Sequence, residues 1–369
     1  MIITAAVTET KGGPFTLQTL ELDEPQADEI LVQIEAVGVC HSDLSMRDQF
    51  LPLPMPMVLG HEGAGVIEAV GANVTSLKPG DRVLLHRNTC GTCENCVIGQ
   101  SQVCLELPLR NMSGARLDGS TGLSRNGERV TGQFFGQSSF ATYVVANART
   151  ATRVPSTIPA TLAPAFGCGV LTGAGAVLHG LHLEPGAQIA VFGVGAVGLS
   201  AIMAARVAGA ATIVAIDTNP ARLEVATELG ATHTVLATMG EDSAWKVRSI
   251  SPIGVNYSID TTGAPPVVGS AVDVLRPGGT CVLLGIGPAG TEVSFDQMQV
   301  ALMGIRIAGF PSGSCDPNVI LPTLFELYRQ GRFAVDKLVS YFPFADIDAA
   351  CHSAESGETI KPVLLVDAD

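Results

Sequence analysis

Apolar and polar positions follow two rhythms along the chain, and the change comes near Pro164. Before it the pattern is short and alternating. Residues 29–36 (EILVQIEA) alternate and are β-rich, residues 64–70 follow a glycine-bounded start, and residues 81–85 follow the turn signal Lys78-Pro79-Gly80. These predict short strands and few long helices. After Pro164, strand patterns at 188–192, 212–216, 256–259 and 280–284 interleave with helical patterns at 197–208, 221–229 and 267–275. Strands alternating with helices predict a parallel sheet covered on both faces. Beyond Gly309, residues 311–314 read as a loop, followed by a helix at 318–328 and a closing strand at 362–366. The expectation is an α/β chain: a β-rich domain over residues 1–165, a doubly wound parallel-sheet domain over 166–308, and a tail, 309–369, that returns to the first.

A length of 369 residues leaves room for two cores at roughly 150 residues each. The 35 acidic residues against 21 Lys and Arg give a formal charge of -14, which repels phosphate backbones and argues against nucleic acid as a partner. Residues 1–11 lack the basic start and apolar run of a signal peptide. Residues 189–216 carry one charge, Arg206, over a bilayer-spanning length. Glycines at 193, 195, 198 and 209 cut that stretch into strand, turn, helix and strand, so no membrane partner is expected. Of nine cysteines, four crowd into residues 90–104, metal-site usage that points to a reducing compartment, the cytoplasm.

Gly193-Val194-Gly195-Ala196-Val197-Gly198 is a G-x-G-x-x-G. It follows the apolar run IAVF and opens a long apolar helix, and Asp217 ends the next strand pattern. The first glycine permits a tight turn, the second lets a pyrophosphate approach, and the third brings helix and strand together. The helix N-terminus adds N–H groups and a positive dipole for the phosphates. Asp217 suits the ribose hydroxyls and repels a 2′-phosphate. No Arg stands beside it, although Arg222 is near, so NAD is expected over NADP.

Cys90, Cys93, Cys96 and Cys104 stand within 15 residues, where a random window would hold about 0.4 cysteine. Four thiolates so spaced wrap a tetrahedral zinc and leave no open position, which marks a structural site; unpaired thiols or an iron–sulfur cluster are the weaker readings. Cys40, His61 and Cys168 are ambiguous taken singly, since a lone Cys or His is more often core than ligand.

In order and spacing, VGVCHSDL, LGHEGAGVIEAVG, LKPGDRV, the cysteine lobe, GCGVLTGAGA and VFGVGAVGLS resemble the zinc-dependent medium-chain alcohol dehydrogenases over essentially the whole chain. Residues 132–145 (GQFFGQSSFATYVV) resemble their aryl (benzyl) alcohol branch. The resemblance implies a GroES-like catalytic domain and a Rossmann domain, and two zinc ions per chain. It implies that Cys40, His61 and Cys168 hold the catalytic ion with its fourth position open, consistent with three protein ligands leaving room for chemistry. Glu62 would be the nearby carboxylate, Asp43 the orienting partner of His61, and Ser42 the hydroxyl that takes the alcohol proton. Thr172 and Gly285-Ile286-Gly287 would flank the nicotinamide, while His41 and Lys361 would meet the pyrophosphate.

The activity so implied is reversible oxidation of a hydrophobic primary alcohol, aryl before allylic terpenoid, with hydride passing to NAD. A metal-free quinone reductase and a non-catalytic relative share the scaffold as remote alternatives. Leu51, His86, Phe134 or Phe140, and Ile286 are expected to line an apolar substrate slot. One departure stands out: position 45, where many relatives place a relay histidine, holds Ser45, which cannot store a proton near neutral pH. Cys281, Cys315 and Cys351 match no ligand position. A homodimer or homotetramer is expected, since relatives join cofactor domains edge to edge.

Overall fold

The computed structural model describes residues 1–238 and 243–366. The chain forms two compact units. One comprises Met1–Cys168, Asp316–Arg329 and the chain from Val335 onward; the other comprises Gly169–Cys315 and Gln330–Ala334. The divisions therefore fall at 168/169 and 315/316, against the 165/166 and 308/309 expected from sequence, and a short stretch returns to the second unit.

The first unit is built from two sheets. A five-stranded sheet runs Met57–Val58, Ile2–Thr8, Phe15–Leu22, Leu123–Arg125, Glu128–Arg129. A seven-stranded sheet runs Ala151–Arg153, Arg82–Leu85, Gly63–Val70, Glu29–Gly38, Lys361–Leu365, Val339–Pro343, with Tyr143–Asn147 also on Glu29–Gly38. Their buried faces share one core that includes Leu20, Ile30, Ile34, Ile67 and Phe140. The returning tail is held by packing. In the helix Pro317–Arg329, Ile320, Leu321, Leu324 and Phe325 are buried, and Phe325 meets Phe166 edge-on at 5.2 Å. The strand Lys361–Leu365 then pairs antiparallel with Glu29–Gly38, placing Leu364 opposite Val37.

The second unit is a six-stranded sheet, His233–Leu236, Thr212–Asp217, Gln188–Phe192, Val255–Asp260, Leu275–Leu283, Arg306–Gly309, and every pairing in it is parallel. Its central strands are buried almost throughout, as continuous apolar runs such as IAVF require. The stretch of membrane-spanning length resolves into strand, turn, helix Ala196–Ala208 and strand. Among the described residues no helix is long and apolar enough to cross a membrane.

Candidate active site

Three segments of the first unit bring polar side chains to one point. Cys40 follows the strand Glu29–Gly38 and caps the helix His41–Arg47; His61 and Glu62 precede the strand Gly63–Val70; Cys168 follows the 3-10 turn Ala163–Phe166. One ligand atom from each of Cys40, His61, Glu62 and Cys168 lies within 4.8 Å of all the others. The sulfurs of Cys40 and Cys168 are 4.0 Å apart, close to the ~3.8 Å that a tetrahedral ion at about 2.3 Å from each sulfur imposes. His61 Nε2 and Glu62 Oε1 are buried without a hydrogen-bond partner. An orphaned imidazole nitrogen facing two thiols is costly unless a cation takes its lone pair, so these residues fit a zinc ion.

Asp43 organises the cluster. It is fully buried; Oδ2 accepts the Cys40 N–H at 3.0 Å, while Oδ1 accepts the Gly60 N–H at 3.1 Å and meets His61 Nδ1 at 2.8 Å. With the proton on Nδ1 directed at Asp43, Nε2 is left as the ligand atom. Burial opposes a charge on His61, but Asp43 and then Cys40 raise it well above its ordinary value. The Cys168 thiol holds Cys40 well below the thiol range despite burial, and Cys168 is itself pushed well up beside Cys40.

Lys361 is 3% exposed: its ammonium donates to Glu62 Oε2 and to the Val39 carbonyl at 3.2 Å. Gly38 is required beside this pair, because a Cβ there would fall 2.0 Å from Glu62 Oε2. Burial pushes Glu62 up to about 7 against the pull of Lys361. His41 is exposed at the start of its helix, and Ser42 Oγ lies 3.8 Å from Cys40 Sγ.

Besides Phe134, the site holds an aromatic residue that the sequence did not single out, Phe135. Phe135 stacks on His61 at 4.7 Å and 29°, and Phe134 meets the imidazole edge-on at 5.4 Å. Two adjacent phenylalanines in a loop carry no periodicity to tell them apart; Gly136 beside them was the one hint of an unusual backbone. Phe135 has φ 52°, a left-handed conformation that costs a bulky side chain about 1–3 kcal/mol. Phe140, in contrast, is fully buried against Phe15 at 5.5 Å. His86 is buried too, Nδ1 being 3.1 Å from the Arg87 carbonyl and Nε2 3.2 Å from Thr152 Oγ1, so it is a packed interior group and no free lining of a pocket. Leu51 is partly exposed at 37%.

The lobe gathers Cys90, Cys93, Cys96 and Cys104 into a second cluster of the same spacing, with sulfur pairs at 3.5 to 4.0 Å. Burial pushes Cys90 up, but the N–H groups of Thr92 and Cys93, at 3.4 and 3.2 Å, bring it down to about 6. Cys281, Cys315 and Cys351 are buried away from both clusters, and burial raises Cys281 to about 11 and Cys351 to about 12.

In the second unit the glycine turn is built as its spacing requires. Gly193 has φ +82°, and a Cβ on Gly198 would fall 2.0 Å from the Gly193 carbonyl oxygen, whereas Gly195 borders open space. Ala196 and Val197 begin the helix Ala196–Ala208, whose N-terminus faces that opening. Asp217 ends its strand and accepts from Val194 N at 2.7 Å and Asn219 N at 2.8 Å, so it also braces the turn. Arg222 lies partly buried in the helix Pro220–Leu229. Thr172 sits in the helix Gly169–Gly175, and Ile286 is 84% exposed beside Gly285. Asp260, unmarked in the sequence, holds that region: its carboxylate accepts from Thr262 N, Thr262 Oγ1 and Gly263 N, and its carbonyl from Gly285 N.

Residues 26–156 match the model of the alcohol dehydrogenase GroES-like domain, and residues 196–328 that of the zinc-binding dehydrogenases. The chain is 42% identical over 362 residues to the geraniol dehydrogenase of Castellaniella defragrans, which covers 98% of this chain and 97% of that protein. The chain belongs to the zinc-binding medium-chain alcohol dehydrogenases. The structure of the benzyl alcohol dehydrogenase of Acinetobacter calcoaceticus matches it over 100% of both chains with a TM-score of 0.96 and 41% identity. The class-3 alcohol dehydrogenase of Myxine glutinosa is 35% identical over 365 residues, 98% of this chain and 96% of that one. The family binds zinc and a nicotinamide dinucleotide, and the two clusters here suit one catalytic and one structural zinc.

Proposed function

We propose that this protein oxidises a hydrophobic primary alcohol of the benzyl type to its aldehyde, reversibly, with NAD as hydride acceptor. The observation that carries the proposal is the buried His61 Nε2, aimed with the Cys40 and Cys168 sulfurs at one point while Asp43 holds the opposite ring nitrogen. A zinc ion bound there supplies Lewis acidity that makes an alcohol hydroxyl more acidic. Ser42 takes the hydroxyl proton, and Ser45, exposed three positions later on the same helix, offers a way onward to water. Glu62 stays tied to Lys361 through one oxygen and keeps the other toward the ligands. A metal-free quinone reductase has no use for three such converging groups. Asp217 favours NAD, which repels no carboxylate where NADP carries a phosphate.

A second reading, an allylic terpenoid alcohol, is favoured by the 42% identity to a geraniol dehydrogenase. A missing methylene shifts discrimination by only about 1–3 kcal/mol, so pocket residues do not separate the two. NADH formation across benzyl, cinnamyl, geranyl and short alkyl alcohols does: benzyl alcohol with the highest kcat/KM supports the first reading, geraniol the second, and ethanol removes both. In the same assay Asp217→Ser should raise the NADP-to-NAD rate ratio at least about tenfold. We further infer an oligomer, at least a dimer, since Arg306–Gly309 is an edge strand of its sheet among the described residues, and edge strands invite pairing. A cytoplasmic setting is supported by the gathering of Cys90, Cys93, Cys96 and Cys104 at metal-site spacing, a use of cysteine that suits a reducing compartment.

A further inference from the structure

The backbone around His61 is held by an unusual partner. Its neighbours pair in ordinary fashion: the Leu59 carbonyl accepts Phe140 N–H at 2.9 Å, and the Gly60 carbonyl accepts Ser139 N–H at 2.9 Å. One step further the opposite main chain turns away, because Ser138, Gly136, Phe135 and Gln133 all lie in the left-handed region, at φ 56°, 70°, 52° and 59°. The side chain of Gln137 fills the gap. Its Nε2 donates to the His61 carbonyl at 2.9 Å and its Oε1 accepts Gly63 N–H at 3.1 Å, the two bonds a neighbouring strand would make. The same turn is pinned from its other end by Ser138, whose Oγ accepts Phe134 N–H at 2.9 Å and donates to the Val58 carbonyl at 2.8 Å. The left-handed run thereby delivers Phe135 to the face of the imidazole.

We propose that Gln137 is a positioning residue for His61: its amide replaces a missing strand partner, locks the His61 main chain, and ties it to the turn that lays Phe135 on the ring. Asp43 fixes the ring through Nδ1, in the imidazole plane, and Phe135 restrains it from above that plane. Asp43 also holds the main chain before His61, at the Gly60 N–H, and the Gln137 amide holds the His61 carbonyl itself and the Gly63 N–H beyond it. All of these groups are buried or nearly so, which makes a two-bond amide bridge hard for water to replace. The inference rests on the reading that Cys40, His61 and Cys168 hold a metal.

The lobe supplies an internal control, because its ligands do not touch Gln137. Wild-type holoprotein is compared with Gln137→Met, which keeps length but neither hydrogen bond, and with Gln137→Glu, which keeps the acceptor for Gly63 and faces the His61 carbonyl with a second oxygen. Metal release to dipicolinate is followed for both ions, and the visible bands of protein with cobalt in the inner site are recorded. The expected result is inner-site release about 10- to 100-fold faster and shifted cobalt bands, with lobe release unchanged. Gln137→Glu carries the same test where Gln137→Met does not fold. Unaltered inner release and bands overturn the proposal, as does equal acceleration at both sites, which would mean general loosening. Wild-type protein holding only the lobe ion overturns the metal reading itself, and this inference with it.

Discussion

Two thiol clusters in one unit are built by opposite means. In the lobe the donors stand within fifteen residues, glycines at 91 and 99 turn the chain with φ of +71° and +82°, and nearby backbone N–H groups settle the charge on Cys90. At the inner site Cys40 and Cys168 are 128 residues apart, and side chains rather than local backbone shape the field: Asp43 on His61, Lys361 on Glu62. The lobe has four sulfurs and offers a tetrahedral ion no vacancy. The inner site has two sulfurs, one nitrogen and a carboxylate already engaged by a lysine, which leaves a position open. A closed set of ligands can be made from one loop, whereas an open one has to be held apart by the rest of the fold.

The largest effect that sharpens this contrast is removal of a ligand from each side. Cys168→Ser should lower kcat/KM at least about a thousandfold, the loss of several kcal/mol of Lewis-acid assistance, and metal analysis should show one zinc remaining. Cys93→Ser should instead act on stability: a loss of about 3 kcal/mol lowers Tm by roughly 6–12 °C in a domain of this size, with the inner zinc retained. If Cys93→Ser lost activity without losing stability, the assignment of roles would be reversed.

A smaller effect follows from His86, beside the lobe. Burial depresses it to about 4 from its ordinary 6.5. Above 6.5 the folded and unfolded chains are both neutral at this residue; between 6.5 and 4 only the unfolded chain takes up a proton. Its contribution is therefore full above pH 6.5 and lost as pH falls toward 4, up to about 3 kcal/mol in all. Denaturant unfolding of wild type and His86→Asn at pH 7 and pH 5 checks this, since the variant should lose less stability on acidification. The smallest effect concerns Ser45. Ser45→His should steepen the pH–rate profile near neutrality, changing the rate by less than about tenfold. An unaltered profile would remove position 45 from the proton path.

Part of the inner site was nonetheless expected. The family resemblance gave Asp43 as the orienting partner of His61, and Asp43 Oδ1 lies 2.8 Å from His61 Nδ1. The Glu62–Lys361 pair was not legible. Its members are 299 residues apart and meet only because Lys361–Leu365 pairs beside Glu29–Gly38. Phe135 and Gln137 were missed because a left-handed run has no hydrophobic period, and what it touches depends on the sheet it crosses. His86 misled in the opposite sense: a polar residue near a cleft in sequence order turned out to be buried against Thr152.

From its residues alone this chain determines the change of rhythm near Pro164, the thiol lobe and the dinucleotide turn, because each is encoded by pattern or spacing within a short segment, where chain geometry dictates which atoms meet. The tertiary structure decided the convergence of Cys40, His61 and Cys168, the pairing of Lys361 and the stacking of Phe135. Those contacts join segments that share no local geometry, so only burial of the common core brings them within reach of one another.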